Sequence, residues 1–348
     1  MTIVVMPIVS DGHADLCTSI QAMLIDSLDA KLYEAPEQLA AASHLLVTGL
    51  GQWGNERARE ALRVAGKHGV RRSLWQLETL PPFNVPDSIA SRVLLRKTPD
   101  RVTRMARMTD KFALKRLSFE LQRQEWLHGN DFEARRLGLP YREARRIRAL
   151  WRDKLLDQVL VSLESRQRFL RSIGVKTTFV PLGYHPLWGR PLENEERELD
   201  AIFIGTPTPA RAPQIGRLSE QLLNAGFRLT VVDRGCYGEQ RTKLLNNTKI
   251  LIHLRNYPWE LTRMRMLMGM GCKALVVTEQ FWDIKPFEPS THFAMASTDN
   301  LAETIIFYLR NENERRAITE RAFEFLSGEL NLGKMLAAHL DAPADLGS

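Results

Sequence analysis

Short apolar runs recur along this chain, separated by longer stretches of helical period. In the first half the runs are 2–9 (TIVVMPIV), 44–48 (HLLVT), 72–77 (RSLWQL), 158–163 and 176–180, with helical spacing over 55–68 and 164–173. Between the third and fourth runs, residues 95–154 are helical in period, with Trp126, Leu137, Ile147, Leu150 and Trp151 as apolar positions. Gly129 and Pro140 predict interruptions that divide this segment into two or three amphipathic helices. Pro181, Gly183 and Pro186 then mark the end of a first domain. The polar LENEERELD from Leu192 predicts a crossing, after which the alternation restarts. Strands are expected at 200–204 (DAIFI), 227–232 (FRLTVV), 249–254 (KILIHL) and 274–278 (ALVVT). Helices are expected over 212–225, from Glu260 through the methionine-rich RMRMLMGMG, over 301–310 with Asp299 as its cap, and over 313–326. Strands alternating with helices imply an α/β protein with a parallel sheet in each half. The expected domains are 1–190 and 191–328, with 329–348 forming a tail or helix that packs back on the first.

Composition narrows the function classes. The 348 residues suffice for two ordinary domains, and 44% apolar with 26% charged residues is a normal globular balance. No apolar run approaches the roughly 20 residues that span a bilayer, and the N-terminus lacks the basic region of an export signal, so a cytoplasmic protein is expected. Cys17, Cys236 and Cys272 form no CxxC pair, which argues against a disulfide framework or a zinc site. The net charge of +7 is concentrated in 95–154, where Lys and Arg outnumber Asp and Glu about two to one; the rest of the chain is slightly acidic. An anionic partner, or a peripheral place at a membrane surface, therefore concerns that segment alone.

Ligands of open parallel sheets bind outside the carboxyl ends of the strands. In the second half the residues there are Gly205 and Thr206, Asp233 and Arg234, Arg255 and Asn256, and Glu279, with Glu260 opening the helix that follows the third strand. GTPTPAR suits a phosphate: glycine lets the backbone approach, a helix N-terminus offers N–H groups, and Arg211 offers a planar bidentate donor. Glu260 and Arg263, three apart, are expected on one face of a helix otherwise almost wholly apolar, so both need partners. Gly269 and Gly271 each cost about 1 kcal/mol against alanine in a helix, which predicts a close neighbour.

VPLGYHP, ELDAIFIGTPTPAR, YGEQRTKLLNNTKILIHLRN, PWELTRMRMLMGMGCKALVVTE and STDNLAETIIFYLRNENERRAITERA occur in this order. Together they resemble the second domain of GT-B glycosyltransferases, nearest the spore-maturation-like branch. The resemblance covers about 158–326. It implies two Rossmann-like domains facing across a cleft, with a nucleotide-sugar donor held by the second and the acceptor by the first. By that resemblance Gly205, Thr206 and Arg211 touch the diphosphate, and the Asp233–Gly238 loop with Tyr237 borders the base. Glu260 and Arg263 face the sugar and phosphate, with His253 and Arg255 beneath. The family commonly has a second glutamate eight residues after the first and a glycine after the helix; here Met268 and Lys273 stand there, and Glu279 is the candidate for the ribose contact. No DxD motif occurs, so no metal or other cofactor is expected beyond the nucleotide-sugar co-substrate. An inverting enzyme needs a general base in the first domain, for which Asp11, His13 and Glu78 stand at strand ends.

Two other readings remain open. GLGQWG at Gly49–Gly54 follows a strand and opens a helix, as in an NAD-type oxidoreductase, but the first strand-end acid, Glu78, comes later than the roughly 20 residues that motif requires. The basic segment, with Arg135, Arg136, Arg142, Arg145, Arg146 and Arg148 interleaved with aromatics, could instead mark a polyanion-binding protein on a non-catalytic GT-B-like scaffold. If the chain is a transferase, the segment suits an anionic or lipid-linked acceptor, with nucleic acid as the minority case.

Overall fold

The apolar runs of the first half become the parallel strands β1 (Ile3–Pro7), β3 (His44–Thr48), β4 (Arg71–Gln76), β5 (Gln158–Val161) and β6 (Thr178–Phe179). A two-residue edge strand, β2 (Lys31–Leu32), is too short to show a period and escapes the sequence pattern. The sheet order is β2-β1-β3-β4-β5-β6. All five residues of β3 are buried, which explains its unbroken apolar run: a parallel sheet is covered on both faces. In this computed structural model the described residues are 2–7, 14–48, 55–82, 89–95, 111–114, 116, 138–193, 196–209, 211–233, 236–255, 257, 259–260, 263–281 and 283–340. The chain divides into two units, Met1–Pro181 with Leu336–Ser348, and Leu182–Met335.

Five helices of the first unit are α1 (Ala14–Leu28), α2 (Asn55–Lys67), α3 (Ile89–Leu95), α4 (Gly138–Arg152) and α5 (Glu164–Ser172). Within the basic segment α4 buries Tyr141, Ala144, Ile147 and Leu150 and turns Arg142 and Arg152 outward, an amphipathic helix as its spacing predicts. Pro140 does not interrupt it. As the third helical residue, Pro140 lies in the first turn, where an amide donor is not needed. Trp126, Gly129 and Leu137 lie outside the described residues.

The second unit holds a parallel sheet of β7 (Leu199–Ile204), β8 (Leu229–Val232), β9 (Thr248–His253), β10 (Leu275–Glu279) and β11 (Ala294–Ala296), in the order β11-β10-β9-β7-β8. Its helices are α6 (Ala212–Asn224), α7 (Gly238–Asn246), α8 (Arg263–Gly271), α9 (Leu301–Arg310) and α10 (Glu312–Gly328), and α11 (Leu332–Leu340) runs on into the first unit. Phe203, Ile250, Ile252, Leu275 and Val277 pack on Leu218 and Leu222 of α6, Leu301 and Ile305 of α9 and Ile318 of α10. Because β7 has β8 on one side and β9 on the other, the connections leaving β7 and β9 diverge, and the carboxyl ends of these two strands form a topological switch point.

Two local expectations are corrected. Asp299 does not cap α9; its N-cap is Asn300, and no side chain bonds the free amides there. Glu260 does not open a helix. It forms an isolated antiparallel bridge with Tyr257, and α8 begins at Arg263. The two glycines of α8 do have close neighbours. A Cβ on Gly269 would stand 2.7 Å from Leu251 and Val276, and one on Gly271 would stand 2.6 Å from the Gly189 carbonyl oxygen. Met266 and Met270 are buried in the core, whereas Met264 and Met268 are only partly buried.

Lys273 is left-handed, with φ of 54°. Its N–H bonds the Met270 carbonyl at 3.0 Å and the Ala274 N–H bonds that of Gly269 at 2.9 Å, the paired bonds of a Schellman C-cap. Lysine is tolerated because its ammonium reaches Glu320 at 2.6 Å and the Phe323 ring at 5.2 Å. Lys273→Ala keeps the strained backbone and loses both contacts, whereas Lys273→Gly removes the strain. The glycine variant is therefore expected to be more stable than the alanine variant by about 1 kcal/mol, measured by urea unfolding.

Candidate functional site

β7 ends at Ile204, and the chain turns through Gly205, whose φ is +136°. Thr208 and Arg211 then close successive turns, the Thr208 N–H donating to the Thr206 carbonyl and the Arg211 N–H to that of Thr208, each at 2.8 Å. This places Arg211 at the N-cap of α6, buried, with Pro213 in the first turn where no amide donor is required. Arg211 Nε donates to the Arg255 carbonyl at 3.0 Å, tying the connection after β7 to the one after β9 across the switch point. Its guanidinium carbon lies 5.8 Å from the centroid of the Phe203 ring.

On the β9 side, His253 is the last strand residue and is 0% exposed. Neither ring nitrogen has a hydrogen-bond partner among the described residues. Burial above all, then the positive charges of Arg265, Arg211 and Arg263, hold its pKa well below the usual histidine value, so the ring is neutral at pH 7. Glu279, the last residue of β10 and 4% exposed, accepts the Arg255 N–H at 2.9 Å and lies 3.6 Å from Arg255 Nε. Arg263 turns toward the segment after β10: it donates to the carbonyls of Asp283 and Lys285, pairs with the Asp283 carboxylate at 3.6 Å, and lies over the rings of Phe281 and Phe287. Glu260 is buried, its N–H donating to the Tyr257 carbonyl at 3.2 Å.

Sequence reasoning passed over Arg265. Residues two apart on a helix point to different sides, so Arg263 and Arg265 cannot share one partner. While Arg263 faces Asp283, Arg265 lies over Phe203, also 5.8 Å from the centroid, and a Cβ on Gly205 would come within 2.8 Å of Arg265 Nη2. Arg265 Nη1 is closed off from solvent without a hydrogen-bond partner among the described residues. Burial and the neighbouring Arg211 push its pKa down to about 9. The signal lay in the spacing: a second arginine on an otherwise apolar helix, on a face Arg263 does not serve.

The remaining candidates are more dispersed. Asp233 and Tyr237 follow the edge strand β8, both exposed, with Tyr237 47% exposed at the N-cap of α7. Arg234 and Asn256 lie outside the described residues, as do Asp11, His13 and the whole GLGQWG stretch. In the first sheet β1 lies between β2 and β3, so the carboxyl ends of β1 and β3 form a second switch point. Glu78, just beyond β4, is exposed, and its carbonyl accepts from the Gln76 side chain. Among the described residues no three His, Cys, Asp or Glu side chains gather as a metal site, and no helix is long and apolar enough to cross a membrane.

Two parallel α/β units with an arginine-lined switch point define the class. The fold is GT-B, and residues 217–340, just over a third of the chain, match the glycosyl transferase-like family model. HepE from Anabaena, in complex with UDP-glucose, is similar over 98% of this chain and 99% of its own, with a TM-score of 0.54 at 10% identity. Sucrose-phosphate synthase from Thermosynechococcus elongatus is similar over 98% of both chains, with a TM-score of 0.51 at 10% identity. TarM is similar over 86% of this chain at a TM-score of 0.51 and 10% identity, and this chain spans 54% of TarM. No curated protein matches the sequence.

Two outcomes test the site's energetics. The depressed His253 pKa contributes stability that is present above the unfolded value of 6.5 and lost as pH falls below it toward the folded value. The melting temperature is therefore expected to fall as pH drops from about 7 to 5, and less steeply in His253→Leu; an unchanged slope in the variant contradicts this. Glu279→Ala strips a buried carboxylate from the Arg255 N–H and is expected to cost about 2 kcal/mol, against less for Glu279→Gln, which keeps an acceptor, both measured by denaturant unfolding.

Proposed function

We propose that the protein is a glycosyltransferase that moves a sugar from a nucleotide-sugar donor held in the second unit to an acceptor. The observation that carries this reading is the group of arginines at the carboxyl ends of β7 and β9, of which Arg255, Arg263 and Arg265 lie within the matched residues 217–340 and Arg211 just before them. In such a transfer the bond between the anomeric carbon and a phosphate oxygen breaks, its electron pair stays on the diphosphate, and the leaving group gains one negative charge. Fixed guanidinium groups and backbone N–H groups can take up that charge without a metal ion.

In this reading Gly205, Thr206 and Arg211 meet the diphosphate, and Tyr237 with Asp233 borders the base. Glu260 faces the sugar, with Arg263 fixing the segment after β10 beside it. Glu279 acts through Arg255, while neutral His253 backs the cluster. Asp11, His13 and Glu78 remain the candidate bases on the acceptor side, and the basic segment suits an anionic or lipid-linked acceptor in the cytoplasm or at a membrane surface. In this reading the chain belongs nearest the spore-maturation-like branch, which its motifs resemble. HepE, crystallised with UDP-glucose and with UDP, makes uridine the first base to test.

Thermal unfolding with UDP, GDP, dTDP, ADP and NAD, without added metal, tests this reading. One nucleoside diphosphate is expected to raise the melting temperature, by an amount equivalent to about 2.7 kcal/mol at a hundred times its Kd, and Arg211→Ala should abolish the shift. A shift with NAD alone contradicts the proposal.

A further inference from the structure

We propose that the first unit docks on an anionic lipid bilayer through Phe112 and Leu139, two exposed apolar side chains set in the basic surface around the start of α4. The inference goes beyond sugar transfer. Every residue in it belongs to the first unit, and it stands whether or not the second unit holds a nucleotide-sugar.

α4 spends its apolar stripe inside the protein. Tyr141, Ala144, Ile147 and Leu150 are buried, and Arg148 Nη1 donates to the Leu95 carbonyl at the end of α3 at 3.4 Å. What the helix offers outward is charge. It carries five arginines against one acid, Glu143, which is itself buried. Arg142 and Arg152 are exposed, while Arg145, Arg146 and Arg148 are partly so. Asp153, just past the helix, is already paired with Arg59 at 2.9 Å. One buried carboxylate cannot cancel five guanidinium groups, so the outward face keeps an excess of positive charge.

The N-terminal end of that face is not wholly polar. Leu139, the second residue of α4, is 48% exposed, and Arg142 follows three residues later on the same side. The helical residues 111–114 and 116 adjoin this end, since a Cβ on Gly138 would stand 3.8 Å from Leu114 Cδ1. There Ala113 is buried, whereas Phe112 is 73% exposed and Lys111 and Arg116 are exposed beside it. A single apolar side chain at a protein surface is ordinary. Here two stand on adjoining helical segments, and among the described residues the exposed charges next to them are all basic. Exposed apolar side chains of the second unit lack that setting: Leu223 of α6 lies near the exposed Glu220, and Phe307 of α9 lies between Glu303 and Arg310.

This combination selects its partner. An anionic bilayer attracts each Lys or Arg held near its surface, and its headgroup–acyl boundary takes up Phe and Leu side chains. A nucleic acid rewards the arginines through its phosphates, but a leucine gains nothing from a phosphate backbone. The attachment is peripheral, with two side chains reaching the interface and the folded unit remaining outside it.

Co-sedimentation of the full chain, without nucleotide, with vesicles of phosphatidylcholine alone and of phosphatidylglycerol mixed with phosphatidylcholine tests this. Binding is expected to the mixed vesicles only, and it should weaken as salt rises. The doubly substituted Phe112→Ser, Leu139→Ser protein should bind roughly tenfold or more weakly, and Arg142→Gln roughly fivefold more weakly. Both should melt with the wild type, because all three positions are exposed. Phe112→Trp, which keeps an interfacial aromatic, should retain binding, and Leu223→Ser should leave it unchanged. Failure of the wild type to bind the mixed vesicles, or equal binding to phosphatidylcholine alone, overturns the proposal. So does undiminished binding by the double serine variant, because the surface is then a site for any polyanion, and so does an equal loss in Leu223→Ser. Vesicle binding without a melting shift from any nucleoside diphosphate removes the transferase reading and leaves this one standing.

Discussion

A cluster of buried and half-buried arginines gathered around the carboxyl ends of β7 and β9 is the constraint on which the second unit's site depends. Burial first, and then the charges of Arg265, Arg211 and Arg263, keep the His253 ring neutral, and burial with the neighbouring Arg211 lowers the proton affinity of Arg265. Two of the cluster's charges are balanced internally, Arg255 by Glu279 and Arg263 by Asp283. Those pairs also do mechanical work, since Glu279 holds the chain leaving β9 and Arg263 gathers the segment from Asp283 to Lys285. Arg211 and Arg265 each lie 5.8 Å from the centroid of the same ring, Phe203. A fold optimised for stability alone would not concentrate charge in this way; a site for an anion would.

The sheet supplies the geometry. Placing β7 between β8 and β9 sends the connections after β7 and β9 apart, and the Arg211 to Arg255 hydrogen bond spans the gap. α8 can carry charge to this edge because its opposite face is packed without clearance, at Gly269 against Leu251 and Val276 and at Gly271 against Gly189. Its C-terminus is closed by a Schellman cap built on lysine rather than glycine, with Glu320 and Phe323 supplying what the backbone conformation costs. Lys273 is accounted for by these contacts, so its departure from the family pattern is no evidence of a lost function.

The fold was largely legible because parallel strands covered on both faces are written as unbroken apolar runs; HLLVT, KILIHL and ALVVT each mark a central strand. The short edge strands Lys31–Leu32 and Ala294–Ala296 leave no such trace, whereas the equally short Thr178–Phe179 lies inside the apolar run 176–180. Pro140 misled because proline breaks a helix only beyond its first turn, and Asp299 because a capping residue type does not ensure a capping geometry. For the site, the strand-end rule pointed to Gly205, Arg255 and Glu279 and the GTPTPAR loop to Arg211, whereas His253 entered only with the family resemblance. Arg265 escaped it because it lies on a helix, and only the fold shows that this helix turns one arginine to Asp283 and the other to Phe203.

A crystal structure of the protein grown with UDP and without added metal tests the central claim most directly. The diphosphate is predicted at the carboxyl ends of β7 and β9, within hydrogen-bond distance of Arg211, with the base toward Tyr237. A nucleotide bound instead at Gly49–Gly54, or one whose phosphates do not touch Arg211, would contradict it.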